Sequence, residues 1–240
     1  MTMKVSAGPT TKLADGNINT DSDRANGYGE KYFVPVPLKK YVLADEGSYF
    51  VGLNPTPGTG LAGHAAPTTF DNTKPFVLIK NNAPVGGKNL YLDMIKLMLT
   101  AAGAGGTLNY ATHAIDSGAG YTSGGSALTL VNPNGNMPGN SQALMYGGAV
   151  VATANAGAQR VVAHQRVRTP ISVVGDLLVF DFGGTAIVAG MPLEGTTEYE
   201  RAIICPPVVI PPQSFYKLVL WRASQSGANS YEVEIGYWER

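Results

Sequence analysis

The C-terminal end of the chain constrains the fold most strongly. Two runs rich in aromatic and branched residues, at 213–222 and 231–238, flank a short segment of small and polar residues. In the second run apolar residues occupy the odd positions up to Ile235, while Glu232 and Glu234 lie between them. Alternation with a period of two is typical of a β-strand with one buried side. The end of the chain therefore predicts two strands, each with an apolar side.

We expect these two strands to pair as an antiparallel hairpin. If Arg222 lies opposite Tyr231, then Leu218 lies opposite Ile235 and the apolar side chains of the two runs meet. A shift of one residue would place leucine against glutamate, so the register is strongly specified. The apolar side of this hairpin is predicted to line the core of a β-sandwich.

The other side of the predicted hairpin carries more apolar area than a solvated side needs. Charged residues surround this area, and we interpret the whole side as a contact with another subunit. The predicted contact residues are Phe215, Lys217, Trp221, Glu232, Glu234 and Trp238.

The rest of the chain predicts an all-β fold. About ten short strand-like runs recur along it, separated by turns, and no alternation of strands with helices is visible. Residues 89–102 fit either a helical stripe or a buried strand, and their β-like neighbours favour the strand. The glycine-rich segments 103–106 and 118–125 are predicted to be turns. We expect an antiparallel, jelly-roll-like sandwich of about 8–10 strands over residues 31–240, preceded by an extended polar arm over residues 1–30.

Composition narrows the classes of function. Charged residues make up 14% of the chain and the formal net charge is zero, so we expect neither nucleic acid nor a membrane as a partner. The low charge suggests that other protein covers much of the surface. A single cysteine, Cys205, excludes an intrachain disulfide, and no apolar run is long enough to span a membrane. We expect the chain to be made and to fold in a reducing cytosol.

No catalytic or metal-binding pattern is visible. His64, His113 and His164 are about fifty residues apart, whereas a metal site on a strand needs paired histidines and a carboxylate. The polar segment 15–23 resembles a calcium loop, but the required glycine and glutamate positions do not coincide. We therefore expect no enzyme activity and no cofactor.

One charge pattern stands out. The segment 117–175 contains no aspartate or glutamate, and alternation within the strand-like run 159–168 predicts that its basic residues share one side. That side is either an ordinary solvated surface or a docking stripe for an acidic protein surface or an anionic glycan. The residues of the stripe are Arg160, His164, Arg166 and Arg168.

Three stretches carry a resemblance to a known family. They are CPPVVIPPQSFYKLVLW (205–221), SQSGANSYEVEIGYWER (224–240) and NLYLDMIKLMLTAAGAGGTLNYATHAID (89–116). Together they resemble the jelly-roll head decoration proteins, also called cement proteins, of tailed bacteriophages. The resemblance implies a non-enzymatic protein on the capsid surface of a virion, made in the host cytoplasm. It further implies that the chain forms a homo-oligomer, dimer or trimer, and clamps neighbouring subunits of the major capsid protein.

Other functions are compatible with the same residues. The chain could be another virion component, such as a capsid shell, tail or fibre protein. It could also be a glycan-binding jelly-roll module that uses the arginine stripe or loop tyrosines such as Tyr121, Tyr146 or Tyr199. A hydrolase is a further alternative, although the sequence does not place two carboxylates at a catalytic separation.

Overall fold

The computed structural model describes residues 39–65, 68–104, 109–137, 139–168, 173–184, 200–222 and 226–240. These residues belong to one compact unit, Lys40–Arg240, apart from the first residue of its leading helix. The predicted arm over residues 1–30 lies outside the described residues, as does the strand-like run 186–189.

The described part of the chain contains one short helix and fourteen strands. Two of the strands are only two residues long, and the longest has twelve residues. In chain order the elements are α1 (Lys39–Asp45), β1 (Tyr49–Leu53), β2 (Leu61–Ala62), β3 (Val77–Asn81), β4 (Leu90–Ala101), β5 (Asn109–Asp116), β6 (Gly120–Ala127), β7 (Thr129–Val131), β8 (Ala143–Thr153), β9 (Gln159–Arg168), β10 (Leu177–Phe182), β11 (Glu200–Cys205), β12 (Val209–Ile210), β13 (Phe215–Arg222) and β14 (Ser230–Glu239).

The strands form two sheets that pack against each other, which confirms the predicted all-β sandwich. One sheet has the order β11-β10-β4-β14-β1-β7, with β12 and β2 as short additions, and the other has the order β6-β8-β3-β13-β5-β9. Two details differ from the prediction. The described strands outnumber the expected 8–10, and β10 and β11 run parallel within an otherwise antiparallel sheet.

Eight of these strands form a jelly roll. In chain order they are β1, β3, β4, β5, β9, β10, β13 and β14, and the first pairs with the eighth, the second with the seventh, the third with the sixth and the fourth with the fifth. Such pairing is that of one long antiparallel ribbon folded over on itself. The resulting four-stranded units are β1-β14-β4-β10 and β3-β13-β5-β9, and the remaining strands extend them.

The predicted C-terminal hairpin is wrong, because its two strands lie in opposite sheets. β13 pairs with β3 and β5, whereas β14 pairs with β1 and β4. The chain between them crosses from one sheet to the other. Asn229 secures the crossing: its Oδ1 accepts hydrogen bonds from Gly103 N (2.6 Å) and Arg222 Nη1 (3.3 Å).

The apolar sides of the two strands do meet, but across the core. Leu218 and Ile235 are completely buried and belong to one cluster that both sheets share. The alternation therefore identified the buried sides correctly and only the strand pairing incorrectly. β4 contributes Leu90, Leu92, Ile95, Leu97 and Leu99 to the same cluster, which confirms the strand that we favoured for this segment.

The prediction that the glycine-rich segment 118–125 is a turn is also wrong, since most of this segment belongs to the edge strand β6. β6 pairs with β8 through two irregularities in register. Gly124 and Gly125 lie there with φ of 71° and 66°, where a side chain is strained. A Cβ on Gly125 would also lie 2.5 Å from the side chain of Val150. Glycine is therefore required by the bulged strand itself.

Helix α1 was not predicted from the sequence. It ends at Asp45, and Gly47 in the following turn has a left-handed φ of 72° and donates its N–H to Ala44 O (3.0 Å), which closes the helix terminus. Lys40 Nζ of this helix lies 2.9 Å from the carboxylate of Asp93 in β4. In the part of the chain that the structure describes, no helix is long and apolar enough to cross a membrane.

A buried ion pair joins the outer side of the six-stranded sheet to the connection between β8 and β9. Lys217 Nζ lies 3.2 Å from Asp116 Oδ2, with both side chains fully buried, and it donates to Thr153 O (2.9 Å). Burial alone would raise the pKa of Asp116. The N–H groups of Asn155 and Gly118, together with Lys217, nevertheless hold this pKa below its ordinary value.

We predict that Lys217→Met lowers the free energy of unfolding by about 3–5 kcal/mol, because it leaves the Asp116 carboxylate buried without its counter-ion. Chemical denaturation measures the effect. Lys96→Met is the matched control: Lys96 lies at the same 3.2 Å from Glu234, but these side chains are 42% and 34% exposed, so the change should be below about 1 kcal/mol. Equal effects of the two variants would contradict the prediction.

Candidate binding surfaces

The structure distributes the predicted contact residues of the last two strands over two opposite surfaces. Phe215, Lys217 and Trp221 point outward from the six-stranded sheet, because their cross-strand partners in β5 face away from the core. Phe215 and Lys217 are buried there and are not available for contact. Glu232, Glu234 and Trp238 point outward from the eight-stranded sheet, on the other side of the sandwich. No single surface therefore contains all six.

The outward side of the eight-stranded sheet is the first candidate surface. Cross-strand registers place its side chains in rows over the four adjacent strands β10, β4, β14 and β1. All of them are half-buried except Met98, which is 38% exposed. We call this set the eight-strand surface: Leu177, Val179, Asp181, Tyr91, Met94, Lys96, Met98, Glu232, Glu234, Trp238, Val51 and Leu53.

The eight-strand surface is more apolar than the solvated side of an antiparallel sheet usually is. Lys96 pairs with Glu234, and Glu232 accepts a hydrogen bond from Gly58 N (2.6 Å). The carboxylate of Asp181, opposite Met94 in the register, adds one acidic group at the end of β10. Trp238 stacks on Tyr91 with ring centroids 5.5 Å apart and planes within 2°. Most of the remaining outward side chains are methionine, branched or aromatic, a composition that suits contact with another protein.

Gly236 is the outward-facing residue of β14 between Glu234 and Trp238, and the structure explains why no side chain is present at this position. The ring of Tyr49 in β1 crosses this position, and its hydroxyl donates to Asp93 Oδ2 in β4 at 2.7 Å. A Cβ on Gly236 would lie 2.3 Å from that hydroxyl oxygen. Burial and the Asp93 carboxylate raise the pKa of Tyr49 well above its ordinary value. Gly236 thus lets a hydrogen bond span three strands at one end of the eight-strand surface.

The second candidate surface is a group of three rings on the outward side of the six-stranded sheet. Tyr110 in β5 stacks on Trp221 in β13, with centroids 4.3 Å apart. His164 in β9 lies 5.4 Å from Tyr110 and 5.8 Å from Trp221, and all the planes agree within 23°. We call these three residues the ring cluster. His164 is exposed, and the other two are half-buried.

The buried side chain of Thr112 holds two members of the ring cluster in place by hydrogen bonds. Its hydroxyl oxygen accepts a hydrogen bond from Trp221 Nε1 (3.1 Å) and shares another with His164 Nδ1 (2.9 Å). Thr112 itself is buried and lies opposite His164 in the register of β5 and β9. The orientation of two of the three rings is therefore determined by one hydroxyl group.

The arginine stripe predicted for β9 does not share one side. A register shift between Ala163 and Val161 places Arg160 opposite the inward-facing Ile115, whereas Arg166 lies opposite the outward-facing Tyr110. The bulge adds a residue to β9 and reverses the side on which earlier residues point. Arg166 therefore lies on the same side as the ring cluster, which includes His164, whereas Arg160 lies on the other side. The side chain of Arg168 is outside the described residues.

Two of the tyrosines proposed as loop residues belong to strands. Tyr121 in β6 stacks on Tyr146 in β8, with centroids 4.0 Å apart and planes within 9°. Tyr121 is 41% exposed. Tyr199 lies outside the described residues. The pair is a cross-strand stack at a sheet edge, which stabilises the association of β6 with β8.

Inside the sandwich, a polar group unites residues that are distant in the sequence. His113 Nδ1 shares a 2.7 Å hydrogen bond with the Tyr216 hydroxyl, and its Nε2 lies 3.9 Å from Cys205 Sγ. The thiol also donates to Gln165 Oε1 (3.8 Å). His113 and Cys205 are 92 residues apart in the chain, so spacing gave no signal of this contact. The wide spacing of the three histidines in the sequence had predicted that each of them is isolated.

The electrostatics of this group do not favour nucleophilic chemistry. Burial raises the pKa of the Cys205 thiol to about 11 and lowers the pKa of His113 to about 4. Both groups are therefore neutral near pH 7, whereas a reactive cysteine needs its thiolate form. Among the described residues, no group of three or more His, Cys, Asp or Glu side chains is placed to hold a metal ion.

No protein-family model, no curated protein and no solved structure matches this chain.

We predict that His113 makes the fold sensitive to mild acid. Its folded pKa of about 4 lies below the ordinary 6.5, so the unfolded chain binds a proton first as the pH falls. The stability present above pH 6.5 should decrease by roughly 3 kcal/mol by pH 4. Urea titrations at several pH values test this, and His113→Gln should flatten the slope in that window. An unchanged slope in the variant would exclude His113 as its source.

Proposed function

We propose that this chain is a non-enzymatic virion structural protein that decorates the head of a tailed bacteriophage. In this role it binds the major capsid shell and stabilises it. The observation that carries the proposal is the eight-strand surface, an outward-facing apolar area spread over four adjacent strands. The jelly-roll pairing of the strands and the resemblance of residues 89–116, 205–221 and 224–240 to decoration proteins support the same assignment.

The composition of the eight-strand surface suits a protein partner. Aromatic residues and methionine are enriched at protein–protein interfaces, and charged residues are depleted in their buried centres. Here Met94, Met98, Tyr91 and Trp238 provide the apolar contacts. The Lys96–Glu234 pair has no net charge, so a partner covering it would not meet an isolated ion.

The arrangement of the two outward sides is consistent with a decorating role. A protein bound to a shell through one sheet presents the other sheet to the surroundings. In the jelly roll those two sides belong to different sheets, so each side can have its own function. Assembly in a reducing cytosol agrees with the neutral and buried state of Cys205, which takes part in no disulfide.

We predict that Met98→Lys weakens association with phage heads without unfolding the protein. The lysine would face Glu232 across the strands, which is favourable for folding. In a covered interface, however, it would replace an apolar contact by an ion pair that has to be desolvated, and it would weaken binding by at least about tenfold. Co-sedimentation with heads stripped of accessory proteins measures the association, and circular dichroism verifies the fold.

Val85→Lys is the matched control for this experiment, because Val85 is 89% exposed in the turn between β3 and β4. It introduces the same charge away from the eight-strand surface and should bind like the wild type. Wild-type protein that fails to sediment with heads would contradict the decorating role. Equal binding by both variants would instead remove the eight-strand surface from the contact.

A further inference from the structure

The connection between β7 and β8 begins with two asparagine turns that are joined to the end of helix α1 by hydrogen bonds. We propose that Asn134, in the second turn, is a site of spontaneous deamidation and that its conversion to an acid loosens helix α1. The reaction is a covalent modification that needs no enzyme. It is independent of the decorating role, because it depends only on the chemistry of this connection.

Each turn is closed by the side chain of its asparagine. Asn132 Oδ1 accepts a hydrogen bond from the Asn134 N–H (2.9 Å), and Asn134 Oδ1 accepts one from the Asn136 N–H (3.0 Å). The residue that follows each asparagine differs, since Pro133 has no N–H and Gly135 has one. Of the two, only Asn134 therefore has a backbone nucleophile next to its side-chain amide.

In the proposed reaction the nitrogen of Gly135 attacks Cγ of Asn134. A new C–N bond forms, the bond from Cγ to Nδ2 breaks, and Nδ2 leaves as ammonia with the proton that the attacking nitrogen gives up. Water then opens the resulting succinimide ring at either carbonyl group, which yields aspartate or isoaspartate. Negative charge develops on Oδ1 during the attack, and the Asn136 N–H that already points at this oxygen stabilises it.

The surroundings of Gly135 leave the attacking nitrogen accessible. Gly135 is exposed, and a Cβ at this position would have no neighbouring heavy atom within 4 Å. Among the described residues, none accepts a hydrogen bond from the Gly135 N–H. Glycine also has the greatest backbone freedom of all residues. The nitrogen can therefore approach Cγ of Asn134 without displacing another part of the protein.

The amide of Asn134 connects this turn to helix α1. Its Nδ2 donates to Ala44 O and to Asp45 O, at 3.2 Å in each case. A carboxylate has no N–H to donate, so deamidation removes both contacts. The new negative charge would also lie beside the C-terminal end of the helix, where the helix dipole disfavours it. Asn132 keeps its own bond to Gly47 O (2.8 Å), so we expect the end of the helix to loosen rather than to separate.

Peptide mapping by mass spectrometry tests the modification. The full-length protein and a synthetic peptide of residues 130–137 are incubated at neutral and at mildly alkaline pH. We expect aspartate and isoaspartate to accumulate at Asn134, faster at the higher pH because the attacking nitrogen has to lose its proton, while Asn132 stays unchanged. Asn26, the other asparagine that precedes a glycine, lies outside the described residues and is mapped separately.

Gly135→Val is the variant that tests the nucleophile. Its branched side chain crowds the attacking nitrogen and stiffens the backbone, which should slow the reaction at Asn134 about tenfold. The proposal is overturned if Asn134 keeps its amide in the protein while the peptide is converted. Equal conversion of Asn132, or an unchanged rate in Gly135→Val, would likewise overturn it.

Hydrogen exchange tests the loosening of the helix. Asn134→Asp carries the charge of the product and should speed amide exchange in residues 42–47 about tenfold, roughly the effect of losing the two hydrogen bonds. Asn136→Asp is the matched control, because it adds the same charge at an exposed position whose side chain has no described contact with α1. This control should exchange like the wild type. Unchanged exchange in Asn134→Asp, or equal acceleration in both variants, would overturn the link to the helix.

Discussion

The pairing of the first strand with the last determines most of this structure. β14 lies between β1 and β4 at the centre of one sheet, and β13 lies between β3 and β5 at the centre of the other. Because the ribbon folds over on itself, strands that follow each other near its ends fall in different sheets. The outward sides of β13 and β14 therefore face opposite directions. The two candidate surfaces, one apolar and one aromatic with a cationic neighbour, are separate for this reason.

The sequence predicted which side chains are buried better than it predicted which strands are neighbours. Alternation identifies the core side of a strand, and Leu218 and Ile235 are buried as expected. Alternation contains no information about whether the two meet within a sheet or across the core. The C-terminal hairpin and the jelly roll were in fact incompatible predictions, because a jelly roll places its seventh and eighth strands in opposite sheets. Strand β6 was missed because its glycines fit both a turn and a bulged edge strand.

For the candidate sites, too, the sequence identified individual residues but not which of them are neighbours. The sequence pointed separately to Trp221, His164 and Arg166. Their proximity to Tyr110 depends on the register of three strands, β13, β5 and β9. The bulge in β9 has no sequence signature that would have separated Arg160 from His164. The contact of His113 with Cys205 depends on the packing of two sheets. Each of these features is a tertiary relation between distant segments, and local patterns do not encode such relations.

The proposed function requires the protein to attach through the eight-stranded sheet and to leave the six-stranded sheet toward the surroundings. A cryo-EM reconstruction of decorated phage heads tests it most directly. The proposed function predicts density for the jelly roll with Met98 and Trp238 against the shell and with Tyr110, His164 and Trp221 on the outside. A reconstruction in which the ring cluster contacts the shell, or in which the chain is absent from the particle, would contradict it.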